Sequence, residues 1–284
     1  MVKKHQDREK MEYLKSLFDL EGKVAVITGG GGVIGSALAK GFLCCGTGVI
    51  ILGRNEDNLK HKALALSKYG KDITVFSCDV LDGERLNSVN DEILKRYGKI
   101  DILVNAAGGN LPGATIGEDQ NIFDLKMGQF KNVMELNLNG TVLPTLVFSR
   151  SMADNKKGSI INISSMASYR PLTRIAGYSA AKAAVDNFTK WMSVELARKF
   201  GDGMRINAIA PGFLLTEQNR ALLTEEDGSL TDRGKTIIEH TPFKRFGEPD
   251  EMVGAVLWLA SEASGFVTGA VIPIDGGFNA FSGV

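Results

Sequence analysis

Val24-Ala25-Val26-Ile27-Thr28-Gly29-Gly30-Gly31-Gly32-Val33-Ile34-Gly35 is the stretch that decides the fold. Five apolar or β-branched residues make a short strand suited to burial, and the glycines after it let the backbone turn sharply. From Ile34 to Leu43 apolar residues recur at helical spacing, so strand, turn and helix follow one another without a linker. Gly30, Gly32 and Gly35 satisfy G-x-G-x-x-G in that setting, where a dinucleotide pyrophosphate rests on the free N–H groups of the helix. A glycine turn without a ligand is the plainer alternative for the same residues.

The alternation continues outward from this unit. Val49–Leu52, Ile73–Ser77, Ile102–Asn105, Ser159–Ile163, Arg205–Ala210 and Val271–Ile274 also read as strands. Helical periodicity marks Leu86–Tyr97, Phe130–Ser149, Ala176–Phe200 and Pro249–Ala260 between them. Near-continuous apolar strands between amphipathic helices predict an α/β fold, a single doubly wound Rossmann domain whose seven-stranded parallel sheet carries helices on both faces. Nothing in the sequence divides residues 21–284. Residues 1–20 read as an N-terminal helical extension, with Met11, Leu14, Leu17 and Phe18 near helical spacing. Gly108–Leu125 and Phe213–Phe246 are expected to be long loops, the second a lid. Both follow strand C-termini, where open α/β sheets bind ligands.

Composition narrows the function classes. The 284 residues hold 33 basic and 33 acidic side chains without long like-charged blocks, so binding to nucleic acid or an anionic membrane through gross charge is not expected. Cys44, Cys45 and Cys78 are odd in number and lack metal-ligand spacing, which suits reduced thiols in a cytoplasmic protein. Three scattered histidines give no metal site. The first 20 residues lack a continuous apolar core and a small-residue cleavage site, so a signal peptide is not expected; no run of about 18 apolar residues occurs, and a small molecule is the expected partner.

Cofactor preference is read at the end of the second strand, Leu52-Gly53-Arg54-Asn55. An acidic residue there would favour NAD by accepting from the ribose hydroxyls. Gly53 leaves room and Arg54 can pair with a 2′-phosphate, so NADP(H) is preferred and NAD(H) remains possible; an ordinary surface arginine is the alternative. Asp79 and Val80, at the end of the third strand, are placed to meet the adenine, with a helix N-cap the other role open to Asp79. Tyr178 and Lys182 lie one helical turn apart, with Ser165 thirteen residues before Tyr178. A cation beside the phenol would lower its pKa toward neutrality, and a serine hydroxyl could hold a substrate oxygen against it. By chance alone, the same spacing gives a buried ring and a solvated amine.

Together these residues resemble the short-chain dehydrogenases/reductases over roughly residues 20–280. Asn105-Ala106-Ala107-Gly108, Asn137, Pro211-Gly212, Thr268-Gly269 and Asp275-Gly276-Gly277 complete the resemblance. One departure is Val33, which stands where the family's T-G-x-x-x-G-x-G loop has its middle glycine. The resemblance implies an NAD(P)-dependent oxidoreductase acting on CH–OH groups. Tyr178 would be general acid in carbonyl reduction and base in alcohol oxidation. Lys182 would lower its pKa and hold the nicotinamide ribose, Ser165 would bond the reacting oxygen, and Asn137 would anchor a relay water. Gly29, Gly32, Val33 and Ile34 would contact the cofactor in the first loop. Asn105 and Ala106 would line it further on, and Leu214 and Thr216 would meet its carboxamide and phosphates. Family members usually form tetramers, so a homotetramer (or homodimer) through Phe130–Ser149 and Ala176–Phe200 is expected.

Within the family, TGGGGVIG and NAAGGNLPGAT look like stretches of the sugar-acid enzymes called D-mannonate oxidoreductases (fructuronate reductases). A sugar acid needs cations and amides around it, and Asn110 and Arg174 join Ser165 as expected substrate contacts, with Arg170, Arg220, Lys235 and His240 nearby in the sequence. A 3-oxoacyl thioester or steroid-type carbonyl reductase would need a more apolar lid. Leu214, Leu215, Leu222 and Leu223 keep that open, while Glu217, Gln218, Asn219 and Arg220 weigh against it. A non-catalytic dinucleotide-binding regulator is the reading from a different class, and it would have no use for the Asn137, Ser165, Tyr178 and Lys182 set.

Overall fold

In the computed structural model, which describes residues 2–117, 119–216 and 219–283, helices alternate with seven parallel strands. The order is α1 (Val2–Phe18), β1 (Val24–Thr28), α2 (Val33–Cys44), β2 (Gly48–Gly53), α3 (Glu56–Leu66), β3 (Ile73–Ser77), α4 (Gly83–Tyr97) and β4 (Ile102–Asn105). It continues with α5 (Met127–Met134), α6 (Gly140–Asp154), β5 (Gly158–Ile163), α7 (Ala176–Phe200) and β6 (Met204–Pro211). The chain ends with α8 (Arg220–Leu223), α9 (Asp232–Glu239), α10 (Val253–Ala260) and β7 (Val271–Ile274).

The strands lie in the order β3-β2-β1-β4-β5-β6-β7, so the connection reverses between β1 and β4 and opens a crevice at their C-terminal ends. Alternate residues explain the layers. Ala25, Ile27, Val49, Ile51 and Val104 face Leu38 and Phe42 of α2 and Val256 and Leu259 of α10. Val26, Ile50, Leu52 and Leu103 face the other way, onto Leu86 and Ile93 of α4, Phe148 of α6 and Leu196 of α7. Both faces are covered, which is why these strands carry almost no polar residue.

Two expectations are corrected. The helix read over Phe130–Ser149 starts earlier and ends later, and a π-helical segment, Glu135–Asn139, joins α5 to α6. The looser turn is stabilised by hydroxyls: Thr141 Oγ1 donates to the Asn137 carbonyl at 2.9 Å and Thr145 Oγ1 to that of Thr141 at 2.7 Å. The stretch Phe213–Phe246 is not an unbroken loop, because α8 and α9 form within it; Thr231 caps α9 by accepting from Gly234 N at 3.0 Å. Among the described residues no helix is long and apolar enough to cross a membrane, and no group of side chains could hold a metal ion.

Candidate active site

The β1–α2 turn forms a cradle at the crevice. Gly29 has φ +64°, and a Cβ there would lie 2.7 Å from the Ala106 carbonyl oxygen, so only glycine fits. Thr28 Oγ1 accepts from both Ala106 N and Ala107 N at 3.1 Å and ties the turn to the end of β4. Gly32 is the N-cap of α2 and offers no side chain, which leaves the first-turn amides free for an anion. Val33 opens α2 with its side chain exposed, so the family's glycine is not required by the backbone here. This backbone fits a dinucleotide pyrophosphate.

Around the cradle, Arg54 is exposed just past β2; its backbone carbonyl accepts from Ser77 Oγ at 3.0 Å. Asp79 does not cap α4. Its Oδ1 accepts from Leu81 N at 3.0 Å in a local turn, and Asp82 takes the cap, accepting from Arg85 N at 2.9 Å. Val80 is buried beside Gly140. Asn105 is turned inward rather than toward the crevice. Its Nδ2 donates to Thr145 Oγ1 at 2.8 Å and Asn162 Oδ1 at 2.9 Å, so it locks β4 to β5 and α6 while Ala106 takes the partly open position.

Ser165 follows β5 and caps the short turn Met166–Ser168, its Oγ accepting from Ala167 N at 3.1 Å. Tyr178 and Lys182 rise from the first two turns of α7. The Ser165 hydroxyl is hydrogen-bonded to the Tyr178 phenol, and Lys182 Nζ sits 5.6 Å from the Tyr178 ring centroid. Lys182 is buried and donates to the Ile163 carbonyl at 2.7 Å. The turn after β4 closes the group: a Cβ on Gly108 (φ +151°) would lie 2.7 Å from Asn137 Oδ1 and 3.5 Å from Lys182 Nζ. Asn137, fully buried on the π-helical segment, accepts from Gly109 N at 2.9 Å and donates to the Gly109 and Val133 carbonyls at 2.8 Å. Four of the expected residues thus meet in one place.

The electrostatics differ from expectation. Burial pushes the Tyr178 phenol above its ordinary pKa, with the Ser165 hydrogen bond pulling the other way. The Lys182 ammonium stands 5.6 Å from the ring centroid and donates to the Ile163 carbonyl, and burial penalises its charge as well. That burial brings Lys182 down to about 8, opposed by the charge of Asp186.

The expected substrate contacts separate into two groups. Asn110 donates through Nδ2 to Thr115 Oγ1 at 2.6 Å, leaving a buried Oδ1 without a partner. Arg174, at φ +73°, donates through Nε to the Ile116 carbonyl at 2.6 Å, and Ile116 N returns a bond to its carbonyl at 2.9 Å. These two border the loop after β4. Arg170 instead bonds Asn279, Lys235 pairs with Asp232 at 3.0 Å, and exposed His240 sits 2.8 Å from the Thr236 carbonyl. Arg220 is exposed at the start of α8. Leu214 is buried, and Asn219 holds its turn by donating to the Leu214 carbonyl at 2.7 Å and accepting from Thr216 N at 2.8 Å. Glu217 and Gln218 lie outside the described residues. Sequence reasoning missed Thr28, Asn162 and Asp186. Only Asp186 had a usable signal, continuing the four-residue spacing of Tyr178 and Lys182.

The chain is similar to known proteins over nearly its whole length. The family described as enoyl-(acyl carrier protein) reductase matches residues 31–279. The uncharacterized oxidoreductase UxuB of Bacillus subtilis is 44% identical over 275 residues, covering 94% of this chain and 98% of that protein. The 7alpha-hydroxysteroid dehydrogenase of Escherichia coli is 31% identical over 258 residues, covering 91% and 94%. A crystal structure of a proposed D-mannonate oxidoreductase from Haemophilus influenzae, with bound NAD, is 42% identical, covers 94% of this chain and 98% of its own, and superposes with a TM-score of 0.88.

Proposed function

The chain belongs to the short-chain dehydrogenase/reductase family and is an oxidoreductase of alcohol and carbonyl groups; from that premise we propose that its substrate pair is a keto sugar acid and the matching alcohol, D-fructuronate and D-mannonate. One observation carries the chemical half: Ser165, Tyr178 and Lys182 meet behind the Gly108 turn at the mouth of the dinucleotide crevice. The substrate half rests on the likeness to the Haemophilus protein and on Asn110 and Arg174, an amide acceptor and a cation bordering the loop after β4.

The cradle at Gly29–Gly32, Ala106 and Lys182 would hold the nicotinamide dinucleotide, which supplies or accepts the hydride when bound. Ser165 fixes the substrate oxygen beside the phenol and stabilises charge developing on it. In reduction Tyr178 Oη gives that oxygen a proton; in oxidation it removes one. A phenol held above its ordinary pKa carries its proton at neutral pH, the form that the acid role in reduction uses. Lys182 holds the ribose, and Asn137 fixes the turn behind it. NADP(H) is the preferred cofactor on the exposed guanidinium of Arg54, and NAD(H) is the second reading because the Haemophilus protein carries NAD. The protein works as a homotetramer in the cytoplasm, where its free cysteines stay reduced.

The test is turnover of hexuronates, aldonates, a 7-oxo bile acid and a 3-oxoacyl thioester, each with NADPH and NADH. Sugar acids are expected to lead with NADPH. Reduction of the steroid or thioester with no sugar-acid turnover would remove the substrate reading, and strong NADH preference would remove the Arg54 reading. Tyr178→Phe should lower kcat by about 10²–10⁴-fold with cofactor binding intact; unchanged turnover would refute the catalytic assignment.

A further inference from the structure

Tyr178, Lys182 and Asp186 stand on successive turns of α7, one stripe at four-residue spacing. Asp186 is a buried carboxylate that the proton-transfer chemistry does not use. Its Oδ1 accepts a very short hydrogen bond from Ser164, the residue before Ser165. Ser168 Oγ donates to the Ser165 carbonyl at 2.7 Å, and Ser164 Oγ lies 3.3 Å from Ser168 Oγ. The carboxylate therefore holds the turn that carries Ser165 at its Ser164 end, and Ser168 closes that turn from the other end.

We propose that Asp186 is a positioning residue of this site, anchoring through Ser164 the turn of Ser165 to the helix of Tyr178 and standing one helical turn from Lys182 as its counter-charge. This rests on the assignment of Ser165, Tyr178 and Lys182 above. Two requirements meet in one side chain. The hydroxyl after β5 and the phenol on α7 come from different elements, and Asp186 ties the two together through Ser164. A buried ammonium is also prone to lose its proton. Tyr178 and Asp186 are its titratable neighbours on α7, while the turn after β4 and the end of β5 bring only Gly108 and the Ile163 carbonyl. Among the described residues, the charge that supports Lys182 against burial is that of Asp186. Burial pushes the Asp186 carboxyl above its ordinary pKa, opposed by Ser164, Ser168, Lys190 and Lys182, and from the Ser165 turn it meets Tyr169.

Charge and tie can be separated. Asp186→Asn keeps an acceptor for Ser164 and removes the charge; Ser164→Ala keeps the charge and removes the tie. The Lys182 ammonium can be followed without substrate or cofactor by NMR titration of protein labelled at lysine Cε, its resonance assigned by loss in Lys182→Met. In Asp186→Asn the Lys182 midpoint should fall by about one pH unit or more. In Ser164→Ala the midpoint should stay in place, while kcat for the best substrate drops about tenfold with KM for the cofactor unchanged. A midpoint identical in wild type and Asp186→Asn would overturn the charge role, and full kcat in Ser164→Ala would overturn the anchoring role. Should Asp186→Asn not fold, Asp186→Ser carries the same reading. Because the titration needs no substrate, its failure is distinct from failure of the sugar-acid assignment.

Discussion

Lys182 illustrates how a single residue can serve chemistry at the expense of stability. Burial brings it to about 8, against 10.5 for a free lysine. Between those values the unfolded chain binds the proton and the folded chain does not, so stability rises with pH across that window. Below pH 8 both states are protonated and the folded state bears the whole cost of the buried charge, about 3 kcal/mol for a shift of this size. Lys182→Met removes that cost, and it also leaves the Ile163 carbonyl without its donor, a loss of about 1–3 kcal/mol at every pH. The expected signature is the pH trend. Relative to wild type, urea denaturation should find the variant most favoured at pH 7, with its advantage shrinking by about 3 kcal/mol by pH 10.5. A difference that stays constant with pH would show that Lys182 is not a buried cation. The pairing of Tyr178 with Lys182 was legible as a spacing. The direction of the phenol's pKa was not, because it depends on how deeply tertiary packing buries the ring.

At the scale of elements, the strands were legible to within a residue or two because a sheet covered on both faces demands unbroken apolar runs. The π-helical segment was not, since one extra residue in a helical turn barely disturbs apolar periodicity. Its consequence is local: it places the Asn137 amide against Gly109 on the turn beside Lys182. The site's hydroxyl, phenol, ammonium and amide were legible as motifs, whereas the inward turn of Asn105 was hidden because both a crevice-facing and a sheet-facing amide fit the same sequence. Asn137→Ala removes three hydrogen bonds and strands the amide and carbonyl of Gly109. It should destabilise the protein by about 2–4 kcal/mol and weaken cofactor binding by loosening the turn behind it. Calorimetry and cofactor fluorescence titration would check this; full stability with full affinity would mean the clamp does nothing.

At the scale of the molecule, the chain carries no net charge, so neither long-range attraction nor repulsion governs its assembly. In the proposed tetramer, apolar surface would do so. Leu146 on α6 and Trp191 and Val194 on α7 are each about half exposed, although large apolar side chains on a monomer are mostly covered. The helices that bear them pack against each other and present their outer faces to solvent, the same pair expected to join subunits from the family resemblance. Exposed aromatic and aliphatic residues on neighbouring helices are the composition of an interface core rather than of a solvated face. The chain of 30.6 kDa should therefore elute in light scattering at four times that mass, or at twice it for a dimer. Trp191→Glu places a charge in the middle of the contact and should shift the population toward smaller species, with the hydrogen bond of Ser165 to Tyr178 untouched on the inner side of α7. A wild-type protein that runs as a monomer would exclude the assembly. A Trp191→Glu variant with unchanged mass would place the contact on another surface.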